Sequence, residues 1–236
     1  MTRLLAPDHP FRRDSDNLAA IEHGLVQAER AHKQAIRRRD AAEIDFHARM
    51  HMLVVGLMAE ARLRKILSDP DGFNDRERDL IRREPQPTSW TAAVEYSFRR
   101  HYGIPIHKTV GRSTLDVLKA RQHELLIQVL QTDLAAIITD RNRTAHAQWR
   151  WHLKSHKHVY LTDPAPAVMN YLQVQRRSRA ITLIATLVYV LAVSEKTFQR
   201  DFDVTFAELQ AVRLGFDGAD YAAWAAALPR PHLVKR

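Results

Sequence analysis

The chain has 236 residues, enough to bury a substantial core in one domain, whereas two full domains would be a tight fit. The absence of cysteine excludes a disulfide framework, a thiolate nucleophile and cysteine-ligated zinc. The formal net charge of +9 favours a polyanionic partner. Because the chain has only 7 Gly and 10 Pro and is rich in helix-favouring residues, we expect an all-α fold.

The first part of the chain carries an almost unbroken helical pattern, which begins at N-cap candidates in residues 14–17 and ends at Leu67. A single helix of that length would extend about 75 Å at a rise of 1.5 Å per residue. We therefore expect a break near residues 37–40, followed by a helix whose apolar residues face the core.

Two short helices are predicted next, over residues 75–84 and about 88–102, because proline and glycine residues bound them. Ser113, with Asp116 three residues later, is expected to open the following helix in the manner of a capping box. Apolar residues spaced mostly by threes, fours and sevens carry that helix directly to Arg141.

The last part of the chain is predicted to contain a polar, histidine-rich loop over residues 152–166, one long helix over about 167–202 and a short helix over about 221–228. The most apolar stretch, residues 180–193, is shorter than the roughly 20 residues that cross a bilayer, so we expect a buried helix and no membrane partner. The N-terminus lacks the apolar stretch of a signal peptide, which together with the absence of cysteine favours the cytoplasm. The predicted architecture is a bundle of three to four long antiparallel helices with short helices inserted.

Most of the excess positive charge lies in one segment. Residues 111–180 carry 11 Lys and Arg against 5 Asp and Glu, which is six of the nine excess charges. Within that segment, residues 141–160 hold five Lys or Arg, four His, two Trp, one Tyr and no acidic residue. Because cations follow phosphates and aromatic rings stack on bases, this composition favours single-stranded RNA as a partner. A DNA-binding regulator is disfavoured, since no helix-turn-helix pattern is evident.

The motif RNRTAH, residues 141–146, ends the apolar helix within this cationic segment. Arg141 stands five residues before His146, and Asn142 directly follows the arginine. An Arg-x4-His pair is a weak pattern by itself, and the plain alternative is that Arg141 complements a helix dipole while His146 is a surface or packed histidine. In its helical context the motif resembles the signature of the HEPN superfamily, helical ribonucleases with an Arg-x4-6-His motif in which asparagine often comes second.

The resemblance implies metal-independent RNA cleavage by attack of the 2′-hydroxyl, which leaves a 2′,3′-cyclic phosphate and a 5′-hydroxyl, with no cofactor. Histidine suits proton transfer near neutral pH, and the planar donors of arginine suit phosphoryl oxygens. The resemblance therefore assigns proton transfer to His146, phosphate stabilisation to Arg141 and orientation of these neighbours to Asn142. Stand-alone HEPN nucleases are mostly toxins or antiviral defence effectors, which implies a cognate antitoxin or regulatory protein. The alternative is a non-catalytic HEPN-type helical module that binds RNA or a protein.

The length and the helical pattern predict a single helical domain over residues 1–236. Its HEPN-like core covers about residues 40–205, with an insertion at about 70–112 and a short helical tail at about 215–236.

The spacing of the motif bears on its oligomeric state. On a regular helix, residues five apart differ by about 140° in direction, so Arg141 and His146 would not share a face. A helix end, or a site pooled from two chains, would relieve this. HEPN nucleases combine the motifs of two facing domains, and we therefore expect a homodimer with a two-fold contact at the motif.

Further residues are candidates for supporting roles. Arg143, Arg150 and Lys154 are expected to contact phosphates and Trp149 to stack on a base, although Trp149 and Trp151 could equally anchor a solvated basic loop. Glu60, on the earlier core-facing helix, could tune the motif or form a plain salt bridge. No metal site is expected, because the three histidines of the predicted loop lack a carboxylate among them and are more simply surface or RNA-facing: His152, His156 and His158.

Overall fold

The computed structural model describes residue 6 and residues 8–154, 159–165 and 167–229. These residues form helices and one small hairpin, which confirms the predicted all-α fold. The elements in chain order are α1 (Pro10–Arg38), α2 (Ala41–Ser68), α3 (Asp75–Arg83), α4 (Thr88–Tyr102), α5 (Val117–Val129), a π-helical turn (Leu130–Leu134), α6 (Ala135–Ala145), β1 (Trp151–Leu153), β2 (Tyr160–Pro164), α7 (Tyr171–Val193), α8 (Glu195–Arg213) and α9 (Tyr221–Ala227).

The predicted break in the first helix is confirmed at two residues. Arg39 has a left-handed backbone with φ 59°, and the side chain of Asp40 accepts hydrogen bonds from the first turn of α2. Helix α1 begins at Pro10, earlier than the pattern predicted, because proline suits the first turn of a helix. The two helices are antiparallel, since their polar pairs run in opposite order along the two sequences: Glu22 with Arg62 and His32 with His51.

Helix α2 lies at the centre of the bundle. Its contacts with α7 advance in the same order along both helices, with His51 beside Tyr171 and Asp69 bonded to Tyr189 at 3.2 Å, so these two helices are parallel. Helix α6 lies against another side of α2, where Arg141 pairs with Glu60. The core between these helices is apolar and fully buried, and it includes Val55, Met58, Leu134, Ile137, Ile181, Ile184 and Val188.

The prediction of one long helix over residues 167–202 is wrong. Ser194 has an extended backbone, with φ −149° and ψ 107°, which ends α7 and opens α8. The Ser194 hydroxyl accepts a hydrogen bond from the backbone N–H of Thr197, so it caps α8. Helix α8 then folds back along α7, where Arg179 pairs with Glu208, and continues to Arg213.

The helix that leads to the motif also differs from the prediction at both ends. Asp116 itself caps α5 by accepting from Lys119 N–H at 2.9 Å, while Ser113 lies ahead of the helix. After the π-helical turn, α6 runs through Arg141 and ends only at Ala145. The motif is therefore the last turn of a regular helix.

The prediction of a loop over residues 152–166 is wrong in part, because two short antiparallel strands form there. Trp151 lies opposite Pro164 and Leu153 opposite Tyr160, with an irregularity in the register between them. Main-chain hydrogen bonds close the hairpin at both ends, from Lys154 N–H to Val159 C=O and from Ala165 N–H to Arg150 C=O. His156 and His158 lie outside the described residues.

None of the helices that the structure describes combines the length and apolar character needed to cross a membrane.

Candidate functional site

Arg141 lies in the contact between α6 and α2. Its side chain packs on Gly56, where an added Cβ would overlap the Cβ and Cγ atoms of Arg141. Its guanidinium forms an ion pair with Glu60 through Nη2, and Nη1 donates a hydrogen bond to Asn142 Oδ1 at 2.7 Å. Only 17% of the side chain is exposed. Two acceptors and the packing therefore fix the direction of the guanidinium plane.

His146 stands at the other end of the motif, at the C-cap of α6. Its backbone N–H donates to Asn142 C=O at 3.0 Å, and Ala147 follows with a left-handed φ of 58° that turns the chain away from the helix. The side chains of His146 and Asn142 are exposed. In the part of the chain that the structure describes, no hydrogen bond reaches the ring of His146, so its nitrogens face solvent.

The geometry separates Arg141 from His146. Since α6 stays regular through Ala145, Arg141 faces α2 while His146 points outward. The neighbours of His146 on its own face of the helix are Asn142, four residues earlier, and Arg143, three residues earlier. Within the described residues, no hydrogen bond joins Arg141 to His146.

Glu60 contacts the motif through Arg141, as an ion pair between two largely buried side chains. Of the two interpretations of this residue, the structure shows the salt bridge. The consequence is local: Glu60 offsets the charge of Arg141 and holds it against α2.

No family model, curated protein or solved structure matches the chain. The assignment of function therefore depends on the geometry of these residues and on the chemistry that they allow.

The two tryptophans of the motif region have different surroundings. The Trp149 indole N–H donates to Thr144 C=O at 3.0 Å, and its ring lies beside Phe46 and under the guanidinium of Arg49, 5.3 Å from the ring centroid. These contacts anchor the chain after α6 to α2, which favours the anchor interpretation for Trp149. Trp151, by contrast, is 48% exposed.

The hairpin presents an exposed basic and aromatic surface. Arg150 and Lys154 bracket β1 and both are exposed, and Tyr160 on β2 is 62% exposed. Sequence reasoning did not select Tyr160, because only the pairing of β2 with β1, with Tyr160 opposite Leu153, brings it to this surface. Arg143 lies on α6 with its Nη1 3.8 Å from Asp140 Oδ1.

Among the described residues, no group of three or more histidine and carboxylate side chains is placed to hold a metal ion. His152 is 92% buried under the hairpin rather than on the surface, since its relative exposure is 8%. The expectation of a surface position is therefore wrong for His152.

Proposed function

We propose that the chain is a metal-independent endoribonuclease in which His146 transfers protons and Arg141 stabilises the reacting phosphate. The observation that carries the proposal is an exposed histidine and an oriented arginine five residues apart at the end of one helix, in a segment with six excess positive charges. Histidine can exchange a proton at neutral pH, and a fixed guanidinium can bind the phosphoryl oxygens as negative charge builds on them.

The reaction balances without a co-reactant. The 2′-oxygen of the substrate attacks the adjacent phosphorus while its proton passes to a base, and the bond from phosphorus to the 5′-oxygen breaks. The leaving 5′-oxygen takes a proton from an acid, so the products are a 2′,3′-cyclic phosphate and a 5′-hydroxyl. His146 supplies one of these two proton transfers, and a solvent water molecule supplies the other.

A homodimer is part of the proposal because of the angle between the two side chains. A site shared across a two-fold axis would bring the exposed edge of Arg141 in one protomer to His146 of the other, whereas the two side chains of one protomer point in different directions. A cytoplasmic toxin or antiviral defence effector, restrained by an antitoxin or regulatory protein, would fit such an enzyme.

A second candidate function is a non-catalytic helical module that binds RNA or a protein. The observation that favours it is the engagement of Arg141 by Glu60, Asn142 and Gly56, which is also what a purely structural arginine would show. In that case the exposed hairpin would supply the binding surface and His146 would have no chemical role.

Cleavage of RNA in EDTA separates the two functions. Wild-type protein, His146→Ala and Arg141→Ala are compared with the control variants His23→Ala and Arg30→Ala, whose side chains are exposed on α1. Loss of general acid–base catalysis typically lowers a reaction rate by a factor of about 100 to 10,000. The cleavage rate of His146→Ala should therefore be at least about 100-fold below that of wild type, while both controls cleave at the wild-type rate. Mass spectrometry of the fragments should show cyclic phosphate ends. Absence of cleavage, or cleavage unchanged in His146→Ala, would reject the enzyme.

Mixing two inactive variants tests the shared site. When equal amounts of His146→Ala and Arg141→Ala are mixed and re-equilibrated, half of the dimers contain one chain of each kind, and each of these has one intact composite site of two. Cleavage should then recover to about a quarter of wild type. No recovery, in a mixture that sedimentation shows to be dimeric, would place both groups in one protomer.

A further inference from the structure

A small cavity lies beside α6, on the side where Arg143 points. Its volume is about 80 Å³, it opens to solvent, and it is lined by α2, α6, β1 and the residues ahead of α7. Since a water-sized group needs about 10–15 Å³ of such volume, the cavity has room for a group of a few heavy atoms. Its polar lining comes from Arg49, Asp140, Arg143, Thr144, Gln148 and His152.

Positive charge predominates around this cavity. Arg49 is only 15% exposed and makes a two-point ion pair with Asp45 at 3.0 and 3.1 Å. Asp140 is flanked by two cations, Arg143 and the partly buried Arg177, and its pKa is nevertheless raised by burial. Among the residues that line the cavity, the two guanidinium groups of Arg49 and Arg143 face the one carboxylate of Asp140, which leaves an excess of one positive charge.

His152 closes the cavity from the buried side of β1. It is 8% exposed, and its imidazole lies among the polar groups that line the cavity. Burial, with Arg143 and Arg49 nearby, lowers the pKa of His152, so the ring is neutral at pH 7 and can donate one N–H.

The remaining walls are apolar, with methionine, alanine and valine side chains on the sides that face α2 and α7. An apolar wall excludes water and strengthens charge-assisted hydrogen bonds inside the cavity. Guanidinium groups bind phosphate oxygens through charge-assisted hydrogen bonds. Arg49 would use its Nη1, since its Nε and Nη2 donate to Asp45.

We propose that this cavity binds one phosphate group, through Arg143, Arg49 and His152, and that in RNA it takes the phosphate next to the scissile one. The second half of the proposal rests on the proposed function. Arg143 and His146 are neighbours on one face of α6, with Cβ atoms about 5–6 Å apart at this spacing, so a strand held at His146 passes the mouth of the cavity. The bound phosphate fixes the register of the strand while His146 acts on its neighbour.

Nuclear magnetic resonance of the wild-type protein tests the cavity without any cleavage. Inorganic phosphate is titrated while the imidazole signals of His152 and of the exposed control His23 are followed. The His152 signals should shift with a saturating curve and those of His23 should stay in place. A 2′-O-methyl oligoribonucleotide, which lacks the attacking hydroxyl, should displace the phosphate if the site takes backbone phosphates. Its failure to do so would restrict the site to free phosphate. An unmoved His152 signal would overturn the proposal.

Affinity for the same uncleavable oligonucleotide, measured by fluorescence anisotropy, gives a second readout. Arg143→Gln should bind about tenfold more weakly and lower the slope of log affinity against log salt by about one, as expected for one lost phosphate contact. The exposed control Arg30→Gln should match wild type, and Arg143→Lys, which keeps a positive charge, should retain the salt slope. Equal affinities for Arg143→Gln and Arg30→Gln would contradict the proposal. Phosphate binding without RNA cleavage would reject the proposed nuclease activity and support the phosphate site. RNA cleavage without phosphate binding would support the nuclease activity and reject the phosphate site.

Discussion

Substitution of Gly56 by alanine tests the contact that places Arg141. Gly56 lies in α2, and a Cβ there would overlap the Cβ and Cγ atoms of Arg141, which are tied closely to the backbone of α6. The overlap with the Cβ atom of Arg141 can be relieved only if the two helices move apart, which would displace Arg141. Gly24, in α1, offers a matched control, because a Cβ at that position meets no atom within 4 Å.

The magnitude follows from two opposing terms. Alanine is favoured over glycine inside a helix by about 0.8–1.0 kcal/mol, and this gain is common to both variants. Overpacking a well-packed contact typically costs about 1–3 kcal/mol, and only Gly56→Ala incurs it. Gly24→Ala should therefore raise the free energy of unfolding by about 0.5–1 kcal/mol, and Gly56→Ala should lie about 1–3 kcal/mol below that variant.

Urea unfolding followed by far-ultraviolet circular dichroism measures both variants, with stability obtained by linear extrapolation. The free energy of unfolding of each is compared with that of wild type, and the difference between them isolates the packing term. Equal stabilisation by the two substitutions would refute the close approach of α2 and α6 at Arg141. Under the proposed function, Gly56→Ala should also cleave RNA more slowly than Gly24→Ala, since it displaces Arg141 without removing any reactive group.

Three other regions of the fold give further predictions. Burial and the neighbouring His51 lower the pKa of His32 from 6.5 to about 3, so protons bind the unfolded chain preferentially. As the pH falls from 6.5 to 3, the free energy of unfolding should therefore decrease by up to about 1.4 kcal/mol per pH unit. In His32→Gln this dependence of stability on pH should be weaker. Phe98→Ala, in the core, should destabilise the protein by about 3–5 kcal/mol in urea titrations, against less than about 0.5 kcal/mol for exposed Val204→Ala. Because Trp224 is the ring that stacks α9 on α7, Trp224→Ala should speed amide hydrogen exchange in α9 alone; protection unchanged there would show that other contacts hold it.

The sequence predicts a helix break where a residue favours the cap of a helix and disfavours its interior. Asp40 is such a residue, because its carboxylate caps α2 and favours no helix interior, and the break before it was predicted. Ser194 is tolerated inside helices as well as at their ends, and apolar residues continue on both sides of it. Only packing against the rest of the bundle selects its extended conformation, so the division between α7 and α8 was missed.

At the candidate site too, features within one helix can be predicted from the sequence, whereas contacts with other elements cannot. The type and spacing of Arg141, Asn142 and His146 are visible in the sequence, and so is the direction in which a regular helix points them. The partners that fix Arg141 are not visible, since Gly56 and Glu60 belong to another helix. The buried position of His152 likewise depends on a strand pairing that three residues of β1 cannot signal by themselves.

Because of the π-helical turn between α5 and α6, the number of residues ahead of the motif can change without a change in the direction in which the motif faces. A π-helical turn accommodates one residue more than an α-helical turn between the same end points, so Leu130–Leu134 absorbs an extra residue while α6 keeps its phase. Loss of one residue inside this turn could be taken up as ordinary α-helix, leaving Arg141 opposite Gly56. Loss of one residue within α6 ahead of Arg141 would instead rotate the motif by about 100°. The orientation of the motif therefore tolerates a change of length at one place in its helix and not at the next.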